Sequence, residues 1–373
     1  MKHALTLACT LFATTAFAAD SYDIPANSSS RIDEFDVCRV VTNDNSSDIF
    51  IPTKTSAEWA SVYNNTIPNV TKANCPCANP TWTSRTGAGT RNWYTMDSDS
   101  TGTKVIAGAF SGGNIYTSTD SGVTWTARTD AGSRNWYRVV SNSNGTRLAA
   151  VVNGGYIYTS TNSGSTWTER TSAGARSWYS IDNSGDGNTI IAGVRGGAIY
   201  ISQDGGATWT AASDAGSRNW VGVASSVDGT KLAAVVDGGY IYTSSNSGDT
   251  WTQQNDAGNR AWSSVTTNDT GSRLAATVEN GAIYTSSNSG VSWTARSAAG
   301  SDNYTTIRIS NDGSTLMAAA YGSNLKISID YGVTWTTQTS MSGNYYDGIA
   351  MSADGTKLYS ARWGSTIHSS DCP

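Results

Sequence analysis

"TWTERTSAGARSWYSIDNSGDGNTIIAGVRGGAIYISQDGGA" occupies residues 166–207 and is one copy of a unit that repeats along most of the chain. Its second residue belongs to a series of Trp residues that are spaced by 43 residues once and then by 42 residues five times. The series is Trp82, Trp125, Trp167, Trp209, Trp251, Trp293 and Trp335. A fixed period of this length is typical of repeat architectures, so the repeat decides the fold.

Each unit contains four short β-type runs separated by turn residues. A "TWT" run is followed by a run such as "WYSI", then by one such as "KLAAVV", and finally by "AIYIS" or "YIYTS". No stretch after the N-terminal leader has a helical period. Because repeats of about this length with four strands form β-propellers, we predict an all-β, seven-bladed β-propeller of four-stranded antiparallel blades.

The chain ends in the middle of a unit, with "IHSSDCP" at residues 367–373. Ser370 and Cys372 lie one period after Ser328 and Asp330, and Cys77 falls on the same repeat position when counted back from Trp82. We therefore predict that the strand in "PTWTS" completes the blade whose other three strands come from residues 343–371. Such N- and C-terminal strands would close the ring and leave no free sheet edge.

The cysteines are expected to form two disulfides. An even number remains after Cys9 leaves with the leader, and an even count in an exported chain favours disulfides. Cys372 can pair with Cys77 or Cys75, and Cys38 then takes the other one. We favour the pairs Cys77–Cys372 and Cys38–Cys75.

The N-terminus has the features of a signal peptide at residues 1–19. Lys2 and His3 precede an apolar run that ends in a small-residue cleavage site and is too short to span a bilayer. This predicts a secreted or periplasmic protein without membrane insertion. Residues 20–80 lack the repeat and are interpreted as a cap segment, or alternatively as a small separate domain, with one strand at "DIFIPT" (48–53). Residues 81–373 form the predicted propeller.

Composition excludes several classes of partner. The formal net charge is -5, only 14% of residues are charged, and no basic block could follow a phosphate backbone, so nucleic acid is not expected. Two His residues and one "CPC" sequence make a poor zinc site, and no cofactor or metal is predicted. We expect a monomer.

A box with the pattern S-x-(D/N)-x-G-x-(T/S)-W occurs in full six times, first at 118–125 and last at 328–335. Its acidic or amide side chain can accept from backbone N–H groups two residues on, and its Gly supplies a positive φ. The pattern is similar to the Asp-box (BNR) repeat of sialidases, other glycosidases and non-enzymatic propellers, and the resemblance covers residues 81–372. It implies a structural turn role for Asp120, Asn162, Asp204, Asn246, Asn288 and Asp330.

A second motif, A-G-x-R-x-W, occupies the turn between consecutive units in five copies. Its residues are Arg91 and Trp93, Arg134 and Trp136, Arg176 and Trp178, Arg218 and Trp220, Arg260 and Trp262. Tyr304 and Tyr346 replace the Trp in the last two units, and Asp130, Asp214 and Asp256 precede three copies. Trp faces can stack on sugars and Arg can grip carboxylates. Alternatively, each Trp wedges between blades and each Arg stacks on an aromatic ring or pairs with the Asp.

The acidic residues argue against an enzyme. The chain has only four Glu, and Glu169 and Glu279 are the two in the repeat region, two and a half units apart. His368 is the one His outside the leader, so a His-based triad is not expected. Sialidases of the resembling family also need an Arg-Ile-Pro motif, which is absent. A pair drawn from the many Asp residues is left open.

We therefore expect a secreted, non-enzymatic binding module. The five Arg–Trp pairs favour multivalent glycan binding, as in the seven-bladed propeller lectins that the repeats resemble. The first alternative is a protein-interaction scaffold, because photosystem II assembly factors are similar propellers and that resemblance implies an Arg patch on one face. The second alternative is a glycoside hydrolase or lyase.

Overall fold

The computed structural model of this protein describes residues 80–341 and 348–370, together with the backbone of residue 371 and of two short upstream strands. The chain divides into two units, residues 1–73 and 74–373. In the first unit, β1 (Cys38–Val40) pairs antiparallel with β2 (Ile49–Ile51). The second of these strands lies in the run predicted to be extended.

In the described part of the second unit, every regular element is a β-strand or a single turn of 3-10 helix, which confirms the all-β prediction. The strands pair in groups of four, numbered here 1 to 7. Group 1 is β4 (Trp93–Ser98), β5 (Val105–Ala109), β6 (Ile115–Ser118) and β7 (Thr126–Arg128). Group 2 is β8 (Trp136–Ser141), β9 (Leu148–Gly155), β10 (Ile157–Ser160) and β11 (Thr168–Arg170). Group 3 is β12 (Arg176–Asn183), β13 (Ile190–Gly197), β14 (Ile199–Ser202) and β15 (Thr210–Ala211). Group 4 is β16 (Arg218–Ser225), β17 (Leu232–Gly239), β18 (Ile241–Ser244) and β19 (Thr252–Gln254).

Group 5 is β20 (Arg260–Thr267), β21 (Leu274–Val278), β22 (Ile283–Ser286) and β23 (Thr294–Arg296). Group 6 is β24 (Tyr304–Ile309), β25 (Leu316–Ala320), β26 (Lys326–Ser328) and β27 (Thr336–Thr337). Group 7 is β28 (Gly348–Met351), β29 (Lys357–Ala361), β30 (Ile367–Asp371) and the early strand β3 (Thr83–Arg85). Short 3-10 helices follow six of the fourth strands, at Thr86–Ala88, Thr129–Ala131, Thr171–Ala173, Ser213–Ala215, Ser297–Ala299 and Thr339–Met341.

Each group is an antiparallel meander in which the first strand pairs with the second, the second with the third and the third with the fourth. Group 7 follows the same order with strands from both ends of the unit. Thr83 lies opposite Ser369, and Arg85 lies opposite Ile367. The strand predicted in "PTWTS" therefore pairs with the last strand of the chain.

Strand composition follows position in the group. Second strands such as β5 and β25 are buried at every residue, and their Ala, Val, Ile, Leu and Met side chains pack on both faces. Fourth strands are only two or three residues long and are mostly exposed, as in β7. A short, polar and twisted outer strand is one way in which natural sheets protect an edge from pairing with another chain.

Antiparallel order places the box turns and the turns between first and second strands at one end of each group, the box end. The A-G-x-R-x-W turns and the turns between second and third strands lie at the other, the motif end. At the motif end, backbone pairing joins neighbouring groups, for example Gly113 with Arg134 and Gly281 with Asp302. The same pairing joins group 7 to group 1 through Ser365 and Arg91.

At the box end, the turns between first and second strands are joined by backbone hydrogen bonds from group to group. The Ser100 N–H donates to the Ser143 carbonyl at 2.9 Å, and the Ser143 N–H donates to Gly185 at 3.0 Å. The bond between the last group and the first belongs to the same set, because the Ala353 N–H donates to the Ser100 carbonyl at 2.8 Å.

The core is divided among neighbouring groups. One cluster, with Trp93, Met96 and Tyr116 from group 1 and Tyr359 and Ile367 from group 7, lies between those two groups. Comparable clusters lie between the other neighbouring groups of the described chain. The first strands converge on a central cavity of about 30 Å³ that residues from all seven of them line.

Candidate functional site

The five Arg of the A-G-x-R-x-W motif make the same two contacts in every copy. Each Nε donates to the carbonyl of the Ala three residues earlier, at 2.7 to 3.2 Å. Each guanidinium carbon lies 4.5 to 4.8 Å from the centroid of a Tyr ring on the third strand of its own group. The rings belong to Tyr116, Tyr158, Tyr200, Tyr242 and Tyr284. Arg134 is half-buried and the other four Arg are exposed.

The five Trp of the same motif are inaccessible. Trp93, Trp136, Trp178 and Trp220 are 0% exposed and Trp262 is 1% exposed. Each ring meets the same third-strand Tyr edge-on, at 5.1 to 5.3 Å between centroids. The structure thus places these rings between groups, as the wedge interpretation expected, and a ligand cannot stack on them in this arrangement.

The Asp residues ahead of three motif copies also act between groups. Asp130 Oδ2 accepts the backbone N–H of Trp167 at 2.7 Å, and Asp214 and Asp256 accept those of Trp251 and Trp293 at the same distance. Among the described residues, no ion pair joins these Asp to the Arg of the motif, so the Asp–Arg pairing considered from the sequence is not formed. Their carboxylates instead fix the start of the next group's fourth strand.

The box forms the same turn in all six full copies. In the first, the Ser118 Oγ accepts the Gly122 N–H at 2.8 Å, and Asp120 Oδ1 accepts the Thr124 N–H at 2.8 Å. The Trp125 Nε1 donates back to the Gly122 carbonyl at 2.8 Å. The Asp or Asn therefore receives an N–H from four residues on, not two as the sequence suggested, because Ser121 and Gly122 both have positive φ and turn the chain further.

Asp204 shows how strongly the box holds its carboxylate. The hydroxyl and N–H of Thr208, followed by the Ser202 hydroxyl, lower the pKa of Asp204 to about 2. Every donor belongs to the box itself, so the hydrogen bonds to this carboxylate stabilise the turn. The placement of Asp120, Asn162, Asp204, Asn246, Asn288 and Asp330 agrees with a structural role.

The Glu residues of the repeat region do not form a carboxylate pair. Glu169 accepts the hydroxyl of Tyr158 on the adjacent strand and lies 3.8 Å from the Arg134 guanidinium. Burial, followed by the hydrogen bond to Glu169, raises the pKa of Tyr158, which keeps the phenol protonated at neutral pH. Glu279 lies three groups away and is exposed.

Three charged residues on the first strands depart from the repeat pattern. Asp97, Asp182 and Arg308 occupy one repeat position on the first strands of groups 1, 3 and 6. Arg308 donates to the carbonyls of Ile349 and Met96 at 3.2 Å each and lies 3.9 Å from Asp97. Burial, opposed by Arg308 and assisted by Asp97, raises the pKa of Asp182 to about 7. Sequence reasoning missed this set because it followed the residues that repeat.

A second set that the repeat concealed lies at the motif end. We call it the aromatic arc: Tyr94, Phe110, Tyr137, Tyr179 and Trp363. Neighbouring rings lie 4.7 to 5.8 Å apart between centroids and come from groups 7, 1, 2 and 3. All but Tyr137 are partly exposed.

Two arginines lie beside rings of the aromatic arc. The Arg138 guanidinium lies 5.5 Å from the Tyr137 ring and 5.7 Å from the Tyr94 ring. Arg195 lies 5.3 Å from the Tyr179 ring and pairs with Asp237 at 3.2 Å.

The other half of the motif end differs. The positions equivalent to the three arc tyrosines hold Val221, Ser263 and Thr305, and those equivalent to Phe110 include Asp237 and Glu279. The sequence therefore contained a signal for the aromatic arc, at positions where the aligned units differ from one another.

Several predictions fall outside the described residues. Cys75, Cys77 and Cys372 are not described, so the pairs Cys77–Cys372 and Cys38–Cys75 stay predictions, as does any role of Tyr346. Among the residues that are described, no cluster of His, Cys, Asp and Glu suits a metal ion. The same residues include no helix long and apolar enough to cross a membrane.

No family model and no curated protein matches this chain. Solved structures do match it in fold. YCF48 from Cyanidioschyzon merolae superposes with a TM-score of 0.61 and 17% identity over 78% of this chain and 98% of its own. A structure of YCF48 bound to D1 peptide gives 0.62 and 18% over 79% and 98%. The GH74 xyloglucanase from Xanthomonas campestris gives 0.62 and 14%, covering 79% of this chain and 54% of the enzyme. All are β-propellers, and at these identities the likeness shows the β-propeller fold alone.

Proposed function

We propose that the seven groups are the blades of a closed ring. Three independent relations support closure, and each joins group 7 to group 1 as it joins other neighbours: backbone pairing at the motif end, the Ala353 to Ser100 hydrogen bond at the box end, and the shared apolar cluster around Trp93. A closed ring keeps the first strands in fixed positions, so side chains at their ends form a rigid surface.

We further propose that the protein is a non-enzymatic interaction scaffold that binds a polypeptide segment of a partner at the aromatic arc. The carrying observation is the asymmetry of the motif end. Contacting aromatic rings with Arg138 and Arg195 lie on one half, whereas the equivalent positions on the other half are small or acidic except for Tyr321, which lies outside the arc. Tyr, Trp and Arg are the residue types that dominate binding energy at protein interfaces. The cationic groups favour a segment that carries both carboxylates and apolar side chains.

The multivalent glycan interpretation loses the feature on which it depended, because the repeated Trp faces are buried. The repeated Arg also have an internal purpose in holding the Ala carbonyl and the Tyr ring. YCF48 has been solved with D1 peptide, so a protein of this fold can take a polypeptide. GH74 xyloglucanase has the same fold, so glycans must be included in any test. Export to the periplasm or the medium remains part of the proposal.

Selection from a random peptide library displayed on phage tests the proposal. We expect selected peptides to combine Asp or Glu with aromatic or aliphatic residues. Phe110→Ala and Arg138→Ala should weaken binding by about tenfold or more, as expected for central interface residues. Tyr321→Ala is the matched control, because Tyr321 occupies the Phe110 position in group 6 and is 51% exposed outside the arc.

The same purified protein should be applied to a glycan array. Failure to select any peptide, or selected peptides that bind the Phe110→Ala and Arg138→Ala variants as well as the parent, would overturn the proposal. Binding to glycans that the arc variants lose would replace it with the carbohydrate alternative.

A further inference from the structure

A cavity of about 60 Å³ lies between groups 5 and 6, at the box end and away from the aromatic arc. Arg273 and Arg296 line it together with the Tyr331 ring and the hydroxyl-bearing side chains Ser287 and Ser292. The volume suffices for several water molecules or for one small polyatomic ion. Two cations and several hydroxyl-bearing side chains therefore line one cavity.

The two guanidinium groups of this cavity lack carboxylate partners. Within residues 80–341 and 348–370, no carboxylate oxygen lies within 4.0 Å of either, although Asp330 acts on Arg296 from further away. Arg273 has no side-chain hydrogen bond to the described residues, and its recorded contact is the Tyr331 ring, 3.9 Å from the guanidinium carbon. Burial, opposed by Asp330 and assisted by the Arg273 charge, lowers the pKa of Arg296.

Of the four other cations at the Arg273 position, Lys104, Lys231 and Lys357 donate a side-chain hydrogen bond, whereas Arg147 donates none to the described residues. Lys104 donates to the Asn144 carbonyl at 2.8 Å, and Lys357 donates to the Ser121 hydroxyl at 3.0 Å. Arg296, in contrast, keeps the bond of its repeat position, because its Nε donates to the Thr285 hydroxyl at 2.6 Å. The unsatisfied donors of this cavity are thus those of Arg273 and the outer nitrogens of Arg296.

Tyr331 is the second departure from the repeat. It has a φ of 60°, a left-handed conformation, in the box position that Ser121, Ser163, Ser247, Ser289 and Gly205 occupy in the other copies. A bulky side chain is strained in this region and is uncommon there. Here the residue in the left-handed conformation places its ring over the Arg273 guanidinium, which has no hydrogen-bond acceptor among the described residues.

We propose that this cavity binds a tetrahedral oxyanion, a sulfate or phosphate group. Its oxygens accept from the Arg273 and Arg296 guanidinium groups and from the lining hydroxyls, while the Tyr331 ring covers one side. Paired guanidinium groups match the geometry and charge of such an anion. The group can be a free ion or an ester on a larger molecule, and both present the same chemistry to the cavity.

Thermal unfolding with sodium sulfate or sodium phosphate, against sodium chloride at equal ionic strength, tests the proposal. We expect a saturable rise in Tm with the oxyanions and none with chloride. Arg296→Gln removes the charge but can keep the structural bond, because Gln254 donates to Thr243 at 2.7 Å from the same repeat position. Arg273→Thr introduces the residue that the repeats carry at 189 and 315.

Each of these variants should lower the affinity for sulfate at least tenfold. The matched control Arg128→Gln in group 1, where Arg128 bonds Thr117 and Lys104 at the Arg273 position bonds the Asn144 carbonyl, should leave it unchanged. A rise in Tm that is equal in all four proteins, as general salting-out by sulfate produces, would overturn the proposal. So would the absence of any saturable effect. Titration with a phosphoserine peptide and with a sulfated oligosaccharide, compared with the free ions, identifies which source binds more tightly.

Discussion

Lys326 Nζ lies 2.7 Å from the carbonyl oxygen of Ala299, and this contact replaces the one that Arg makes in five other repeats. In those repeats an Arg just before the first strand donates to the equivalent Ala carbonyl and lies on a third-strand Tyr. In group 6 the Arg position holds Asp302 and the Tyr position holds Lys326, which pair at 3.2 Å. The cation has moved to the other strand, but the carbonyl keeps a donor, which indicates that the repeated Arg serves the fold.

Exchanging these two residues for the pattern of the other repeats is the first prediction. Lys326→Tyr alone should lower the free energy of unfolding by about 1–3 kcal/mol, because it leaves the largely buried Asp302 without its cation. The double variant Asp302→Arg with Lys326→Tyr should recover most of that loss. Chemical denaturation measures both, and a double variant no more stable than the single one would contradict the structural role of the Arg–Tyr pair.

Truncating a Trp of the A-G-x-R-x-W motif should lower the free energy of unfolding, because the ring is part of the core and is not available to a ligand. Trp136 is 0% exposed and packs against Tyr158, so Trp136→Ala should cost about 3–5 kcal/mol. Trp136→Tyr should cost less, since Tyr304 fills this position in group 6 with its hydroxyl bonded to the Ala299 carbonyl at 2.7 Å. Urea unfolding followed by fluorescence distinguishes the two, and a fully stable Ala variant would show that the ring is not part of the core.

The central carboxylates should make stability depend on pH. The folded pKa of Asp182 is raised from 3.8 to about 7, chiefly by burial, so the folded state binds more protons than the unfolded state between these values. Stability should therefore fall as pH rises from about 4 to about 7 and level off above, by at most about 1.4 kcal/mol per pH unit from this group.

Asp182→Asn provides the check on that pH dependence. An amide oxygen can still accept the Ser225 N–H that now bonds to the carboxylate at 2.8 Å, and no charge remains to be buried. The variant should be more stable than the parent above about pH 7 and should show a flatter profile below it. Parallel pH profiles for the two proteins would mean that Asp182 ionises as it does in the unfolded chain.

The ends of the repeat region should be held together covalently as well as by strand pairing. Thr83 lies opposite Ser369 in the β3–β30 pair, and Cys77 and Cys372 fall on one repeat position of the sequence. We therefore predict that these two cysteines form a disulfide. A bridge that closes a loop of roughly 300 residues contributes about 5 kcal/mol in the loop-entropy account. We expect a reductant to lower Tm markedly, and peptide mapping of the unreduced protein to find the two cysteines linked. Alkylation of Cys372 without reduction would exclude the bridge.

The sequence alone was sufficient for the β architecture. Four runs per unit of 42 residues predicted groups of four antiparallel strands, and the broken last unit predicted the pairing of "PTWTS" with the final strand. These features depend on residues that are close in the sequence or that recur at a fixed spacing, so they can be recognised from the sequence alone. The box turn was predicted in outline, but the positive φ of Ser121 was missed because Ser carries no strong signal for it.

Only the tertiary structure decided which side chains reach solvent. Trp136 and Arg134 belong to one motif, yet the first is fully buried and the second is not, because packing between groups sets their surroundings. The aromatic arc, the central Asp97–Asp182–Arg308 set and the Arg273–Tyr331 contact unite residues that share no motif. Each of these sets forms where the fold brings together positions that differ from unit to unit. A search for repeated residues does not find such positions.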